Sequence, residues 1–157
     1  MEGNYSQELQ KIFLFELVTK DEIGKILPCF KERKFSRGDK VFSEKEEGST
    51  MYVLLSGSIK ISRCHKEGGS GPLTEEQELI VLGPGDFFGE IALFDCIPRT
   101  ASATVIEDAV VFEIHRDDFA KLISQFPQTG IKLLYRIIQE MGKRIKRMNT
   151  QIDMLFI

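Results

Sequence analysis

The chain has 157 residues, 42% of them hydrophobic and 29% charged, which is enough to bury one substantial core and too little for a second catalytic domain. A formal charge of −3 argues against a surface whose main business is gripping nucleic acid, and no apolar run approaches the roughly 20 residues of a membrane span. Met1 to Gln10 lacks the basic start and apolar block of a signal peptide, so a cytoplasmic location is expected.

Residues 1–28 are predicted to be a helical segment. Leu9, Ile12, Phe13 and Leu17 recur at helical spacing, and Asp21 to Leu27 forms a further helical stretch ended by Pro28. Residues 29–116 are then predicted to be strands. Val53 with Leu55, Ile59 with Ile61, and Val110, Phe112 and Ile114 alternate with period two, and turn signals recur between them, which is the pattern of a sandwich or jelly-roll barrel. Residues 63–78 are polar and contain Gly68-Gly69-Ser70-Gly71-Pro72, so they are assigned to a loop at a hairpin tip.

Chemistry concentrates between Phe87 and Ala103. Gly83-Pro84-Gly85-Asp86 is a turn, Phe87 and Phe88 an apolar anchor, and Gly89 allows backbone to approach a ligand without a Cβ in the way. If Glu90 to Leu93 form a short helical turn, its first N–H groups lack helical partners and favour a phosphate. Arg99 adds fork-shaped donors that match two phosphate oxygens, and Pro98 is expected to hold its backbone. Glu90, when ionised, has only acceptors; it repels phosphate and suits a hydroxyl donor such as a sugar 2′-OH. Together the two groups describe a ribose phosphate. Cys29, Cys64 and Cys96 suggest neither a disulfide framework nor a zinc site, and His65 and His115 have no clustered partners. No metal and no cofactor is expected.

Asp117 and Asp118 open a helix whose face is Phe119, Leu122, Ile123 and Phe126, and Pro127 interrupts it. Beyond the proline, Ile131, Leu134, Ile138, Met141, Ile145, Met148, Ile152 and Leu155 follow one another at spacings of 3, 4, 3, 4, 3, 4 and 3. Such a seam favours two helices wound around each other over a helix lying on its own barrel, so a homodimer through residues 131–155 is expected. Leu133 and Ile137 lie off the seam, where they could touch the barrel. Gly142 marks either a bend or a close helix approach. Lys143, Arg144, Lys146 and Arg147 form a basic patch that reads first as a solvated helix face.

Phe88-Gly89-Glu90-Ile91-Ala92-Leu93 followed by Pro98-Arg99-Thr100-Ala101-Ser102-Ala103 resembles the phosphate-binding cassette of the cyclic nucleotide-binding domain family. That family includes catabolite-activator-type regulators, cyclic-AMP-dependent kinase regulatory subunits and cyclic-nucleotide-gated channels. Gly38-Asp39-Lys40-Val41-Phe42, Gly48, Met51-Tyr52-Val53 and Leu55 to Lys60 resemble the family's first strands and turns. The resemblance implies a mostly β fold with flanking helices: a jelly-roll β-barrel (double-stranded β-helix) with its cassette at 87–103, then C-terminal helices over 117–157 serving as lid and dimerisation element. It implies a ligand, cyclic AMP or cyclic GMP, bound by Phe88, Gly89, Glu90, Ile91, Ala92, Arg99, Thr100 and Ala101. Glu90 would take the ribose 2′-OH, Arg99 the cyclic phosphate, and the backbone of Ile91, Ala92 and Thr100 to Ala101 the rest of the phosphate. Thr100 bears on base preference and leaves it open. A lid over the base is expected from Arg147, Asn149 and Thr150.

The function implied is a regulatory sensor, standing alone or part of a longer protein, that converts nucleotide binding into rearrangement of helix and dimer. It is not an enzyme, its effector is not identified, and neither a helix-turn-helix nor direct DNA binding is expected up to Ile157. A nucleotide-independent dimerisation module on the same fold is the alternative.

Overall fold

The computed structural model describes residues 5–66 and 73–155. Two short helices open the chain, α1 (Tyr5–Leu9) and α2 (Lys20–Ile26), separated by a 3₁₀ turn at Phe13–Phe15. Helix α2 starts where it does because Thr19 and Glu22 cap each other: Thr19 Oγ1 accepts from the Glu22 N–H at 3.2 Å, and Glu22 Oε2 accepts from the Thr19 N–H at 2.8 Å. Pro28 lies in the 3₁₀ turn Leu27–Cys29 that ends the segment.

Six strands follow: β1 (Lys31–Phe35), β2 (Lys40–Phe42), β3 (Thr50–Lys66), β4 (Leu73–Leu82), β5 (Phe87–Phe88) and β6 (Ser102–His115). All pairings are antiparallel in the order β1-β6-β3-β4, with β2 on β6 and β5 on β3. The polar stretch 63–78 is therefore mostly strand: β3 runs on to Lys66, β4 starts at Leu73, and Arg63 pairs with Gln77. Hydrogen bonding between two long strands carries the ladder outward through residues whose side chains signal a loop. The glycine-rich tip assigned to 68–72 lies outside the described residues.

The sheet separates two apolar clusters. Met51, Val53, Phe87, Phe112 and Ile114 pack against the helices, whereas Tyr52, Leu54, Phe88, Val105 and Val111 fill the barrel. Consecutive residues thus go to opposite cores, as the pleat demands. Met51 to Leu54 is buried on both faces, which is why period two is blurred there.

Helix α3 (Arg116–Gln125) is capped by His115, whose Nδ1 accepts from the Asp117 N–H at 3.2 Å. Helix α4 (Pro127–Leu155) places its proline at the first position, where no helical N–H is needed. Here the structure departs from a seam reserved for a partner. Leu133 and Ile137, each 1% exposed, are buried in the helix-side core, and the seam residues Leu134 and Met141 pack on it too. Ile131, Tyr135, Ile138 and Ile145 point outward, all more than half exposed. The apolar stripe is broad enough to serve two surfaces, so α4 lies on its own domain and presents a second face. Around Gly142 there is open space, with no close helix approach within the described residues.

Candidate functional site

Strand β5 delivers the chain to Gly89, whose φ of +73° is comfortable only for glycine and turns the backbone into the 3₁₀ turn Glu90–Leu93. The short helical turn expected here is present. Its Ala92 N–H is already spent on Gly89 O at 3.2 Å.

Arg99 lies in a slot cut for it. A Cβ on Gly48 would sit 2.3 Å from Arg99 Nε, and one on Gly89 would sit 2.7 Å from Arg99 Nη1. The guanidinium carbon lies 4.1 Å from the centre of the Phe42 ring and 5.9 Å from that of Tyr52, a cation–π arrangement. Below it Tyr52 stacks on Phe88 with centroids 5.2 Å apart. Nη1 donates to Gly89 O at 3.2 Å and Nη2 to Thr50 O at 2.8 Å. Nε is buried with no partner. Its backbone is held less by Pro98 than by the turn opposite: Arg99 N donates to Glu46 O at 2.7 Å and Lys45 N to Arg99 O at 2.8 Å. Burial pushes the guanidinium pKa below its ordinary value, opposed by Tyr52, Glu46 and Glu90. Arg99 forms no ion pair with a carboxylate among the described residues.

Glu90, 6% exposed, faces a different arginine. Arg144, on α4, donates from Nη1 to Glu90 Oε1 at 2.7 Å and from Nη2 to Phe87 O at 2.6 Å, with its guanidinium carbon 5.2 Å from the Phe87 ring centre. So one member of the basic patch is not a solvated charge. Lys143 is another, its Nζ lying 4.2 Å from the centre of the Phe13 ring.

Between the cassette, β3, β4 and α4 lies a cavity of about 480 Å³. Phe88, Gly89, Glu90, Ile91, Ala92, Arg99, Thr100 and Ala101 all line it, as does Arg147 from the expected lid. Asn149 and Thr150 do not, and Thr150 Oγ1 turns back to Lys146 O at 3.0 Å. Leu79, Ile80, Ile91, Ile97 and Met148 give the cavity an apolar mouth. Each is large and more than a third exposed, a cost that a stacked planar ring would remove.

Sequence reasoning missed Arg144, Arg63 and Arg116. Arg63 lines the cavity and donates from Nε to Thr100 O at 3.0 Å. Arg116 ties the cassette down: Nε donates to Ala92 O at 2.7 Å, and Nη2 to Gly48 O at 3.1 Å and Asp95 O at 2.9 Å. Its Nη1 lies 2.8 Å from Cys96 Sγ. Nothing in the sequence singles out Arg144, which stands in a run of four cations with Glu140 one turn before it.

An antiparallel barrel whose wall carries a buried arginine, a carboxylate and an apolar mouth beneath a long helix defines a small-molecule-binding module. The family model described as the cyclic nucleotide-binding domain matches residues 32–126, and the chain belongs to that family. It is 32% identical over 149 residues to the CRP-like cAMP-activated global transcriptional regulator of Mycobacterium tuberculosis, covering 94% of this chain and 62% of that protein. It is 30% identical over 125 residues to human cGMP-dependent protein kinase 2, covering 79% and 16%. Among solved structures, the catabolite activator protein of Thermus thermophilus superposes with a TM-score of 0.78 at 28% identity, over 91% of this chain and 62% of that one. The fold is thus the jelly roll of that family followed by helices. The chain spans about three fifths of the length of the bacterial regulators it matches. Among the described residues, no helix is long and apolar enough to cross a membrane.

Proposed function

We propose that this chain is a regulatory sensor that binds a cyclic nucleotide in the 480 Å³ cavity and passes the event to α4. The observation that carries this reading is Arg99: a guanidinium buried against aromatic rings, with Nε unpartnered and no carboxylate paired to it among the described residues. Two of its five N–H donors go to carbonyls, and no hydrogen bond among the described residues takes the other three. The cyclic phosphate sits on Arg99, the Ile91 N–H and the Thr100–Ala101 backbone. Glu90 takes the ribose 2′-OH, and the base lies between Leu79, Ile80 and Met148, with Arg147 at the rim.

Both cyclic AMP and cyclic GMP fit this chemistry. The relatives include one named for activation by cyclic AMP and one named for dependence on cyclic GMP. The outward face of α4, with Ile131, Ile138 and Ile145 a heptad apart, supports a homodimer in which helix movement becomes dimer geometry.

Calorimetric titration of nucleotide-free protein with each cyclic nucleotide tests the reading. We expect saturable binding of at least one, and a loss of tenfold or more in Arg99→Ala, since one charge-assisted hydrogen bond is worth ~1.5–3 kcal/mol. Binding of neither, to folded protein, leaves a nucleotide-independent dimerisation module as the better reading.

A further inference from the structure

The cavity wall changes its bonding at one place. Strand β3 pairs with β6 as far as Ser62 opposite Ser102, and from there β3 runs on with β4 alone. Arg99 to Ala101 lie beyond that ladder, so their peptides must find partners elsewhere. Two carbonyls do: Arg99 O accepts from the Lys45 N–H at 2.8 Å, and Thr100 O accepts from Arg63 Nε at 3.0 Å. The N–H groups that follow those carbonyls are unspent, since neither Thr100 N nor Ala101 N donates a hydrogen bond among the described residues. In a planar trans peptide the C=O and the next N–H point in opposite directions, so a partner on the carbonyl fixes where that N–H is aimed. Lys45 thus aims the Thr100 N–H, and Arg63 aims the Ala101 N–H. Successive N–H groups, held from behind and unspent beside Arg99, suit an anion.

Resting on the nucleotide-binding reading above, we infer that Arg63 is a positioning residue for the phosphate: from β3 it holds the Thr100–Ala101 peptide in the orientation the phosphate needs, and it acts through Thr100 O rather than through its own charge. Lys45 holds its carbonyl with a backbone N–H that almost any residue supplies, whereas the bond to Thr100 O depends on the side chain at position 63. The footing of Arg63 is fixed in turn. Its neighbour Cys64 donates its N–H to Glu44 Oε2 at 3.0 Å, and the Glu44 N–H donates to Ser102 Oγ at 2.9 Å, so β3 and the start of β6 keep one spacing across the opening that Arg63 spans. Arg63 is exposed, and burial does not demand its bond to Thr100 O. A nucleotide seated in the cavity excludes water from that bond and strengthens it.

The test separates the donor from the charge. Glutamine carries its amide nitrogen as many bonds from the backbone as Nε, a donor without the charge; methionine has the same reach and no donor. The ligand is whichever of cyclic AMP and cyclic GMP binds the unmodified protein. Calorimetry is expected to give Arg63→Met an affinity about fivefold to tenfold weaker, and Arg63→Gln one within about twofold of the unmodified protein. In amide NMR spectra the Ala101 proton should move strongly downfield when nucleotide binds the unmodified protein or Arg63→Gln, and much less in Arg63→Met. A purely structural role would not produce that pattern, and substitution of an exposed side chain should leave the fold intact.

Arg63→Leu, which also lacks a donor, serves if the methionine variant does not fold. Equal binding by all the proteins overturns the inference while leaving nucleotide binding intact. Equal losses in Arg63→Gln and Arg63→Met also overturn it, because the phosphate would then be feeling the charge of Arg63 directly. So does an Ala101 signal that moves alike in every protein. Failure of the unmodified protein to bind either cyclic nucleotide removes the reading beneath it as well.

Discussion

Arg99 owes its position to the absence of two β-carbons, and a single methyl group tests this. In Gly48→Ala the new Cβ would stand 2.3 Å from Nε and 2.6 Å from the guanidinium carbon, and the Phe42 ring opposite leaves no room to retreat. We expect cyclic nucleotide affinity to fall by about tenfold, with thermal unfolding measured alongside as the control for folding. Glu22 is another residue whose charge is tuned. Its carboxylate accepts from Lys132 Nζ at 2.7 Å, from Thr129 Oγ1 at 3.1 Å and from the Thr19 N–H, and these bonds, Lys132 foremost, lower its pKa from 4.5 to about 2. A depressed carboxylate pKa contributes stability that is present above pH 4.5 and is lost as pH falls toward 2. With 19% of the side chain still reached by solvent, we expect Glu22→Gln to cost about 1–2 kcal/mol at pH 7, and the difference to close below pH 4.5 in urea unfolding.

At the scale of the element, α4 decides the most. Leu133 and Ile137 are core residues, so Leu133→Ala or Ile137→Ala should destabilise the fold by roughly 2–5 kcal/mol. Ile138→Ala removes a side chain that is 66% exposed and should leave the unfolding of the protomer within about 0.5 kcal/mol. Chemical denaturation of the three variants at low protein concentration checks the contrast. The same helix shows what the sequence disclosed and what it withheld. The cassette was legible because its parts are contiguous: Gly89, Glu90 and Arg99 lie within eleven residues, and their chemistry follows from side-chain type alone. Arg144 was not, since its partner is 54 positions away and a run of four cations on a helix ordinarily faces water. Nor did the repeat of 3 and 4 reveal that Leu134 and Met141 turn inward while Ile138 and Ile145 turn out, because a pattern gives periodicity and only packing gives direction. The outer half of the hairpin was misjudged for a related reason, as strand pairing overrides the polar composition of residues 63–66 and 73–78.

Taken as a whole molecule, the chain is a barrel to which a helix is fastened at separate heights. Low on α4, Lys132 binds Glu22; higher, Arg136 donates to Glu16 at 2.6 Å and stands over the Phe13 ring; above that, Arg144 meets Glu90. The first joins it to α2, the second to the 3₁₀ turn at Phe13–Phe15 and the residue after it, and the third to the cassette. In the proposed homodimer the exposed isoleucines of α4 face a second copy, and sedimentation velocity should report a dimer at micromolar concentration. The double change Ile138→Asp and Ile145→Asp should yield a monomer that still binds nucleotide, and a dimer surviving that change would refute this interface.

Arg116 carries a lesson for anyone who wants to rebuild this protein. One guanidinium, at the junction of β6 and α3, clasps carbonyls of Ala92, Asp95 and Gly48, so the recognition loop, the approach to β3 and the start of the helical layer share a keystone. A cassette transplanted from a relative would arrive without the contacts that set its pitch. Grafts meant to change ligand preference should therefore exchange residues 46–50, 87–101 and 116 together.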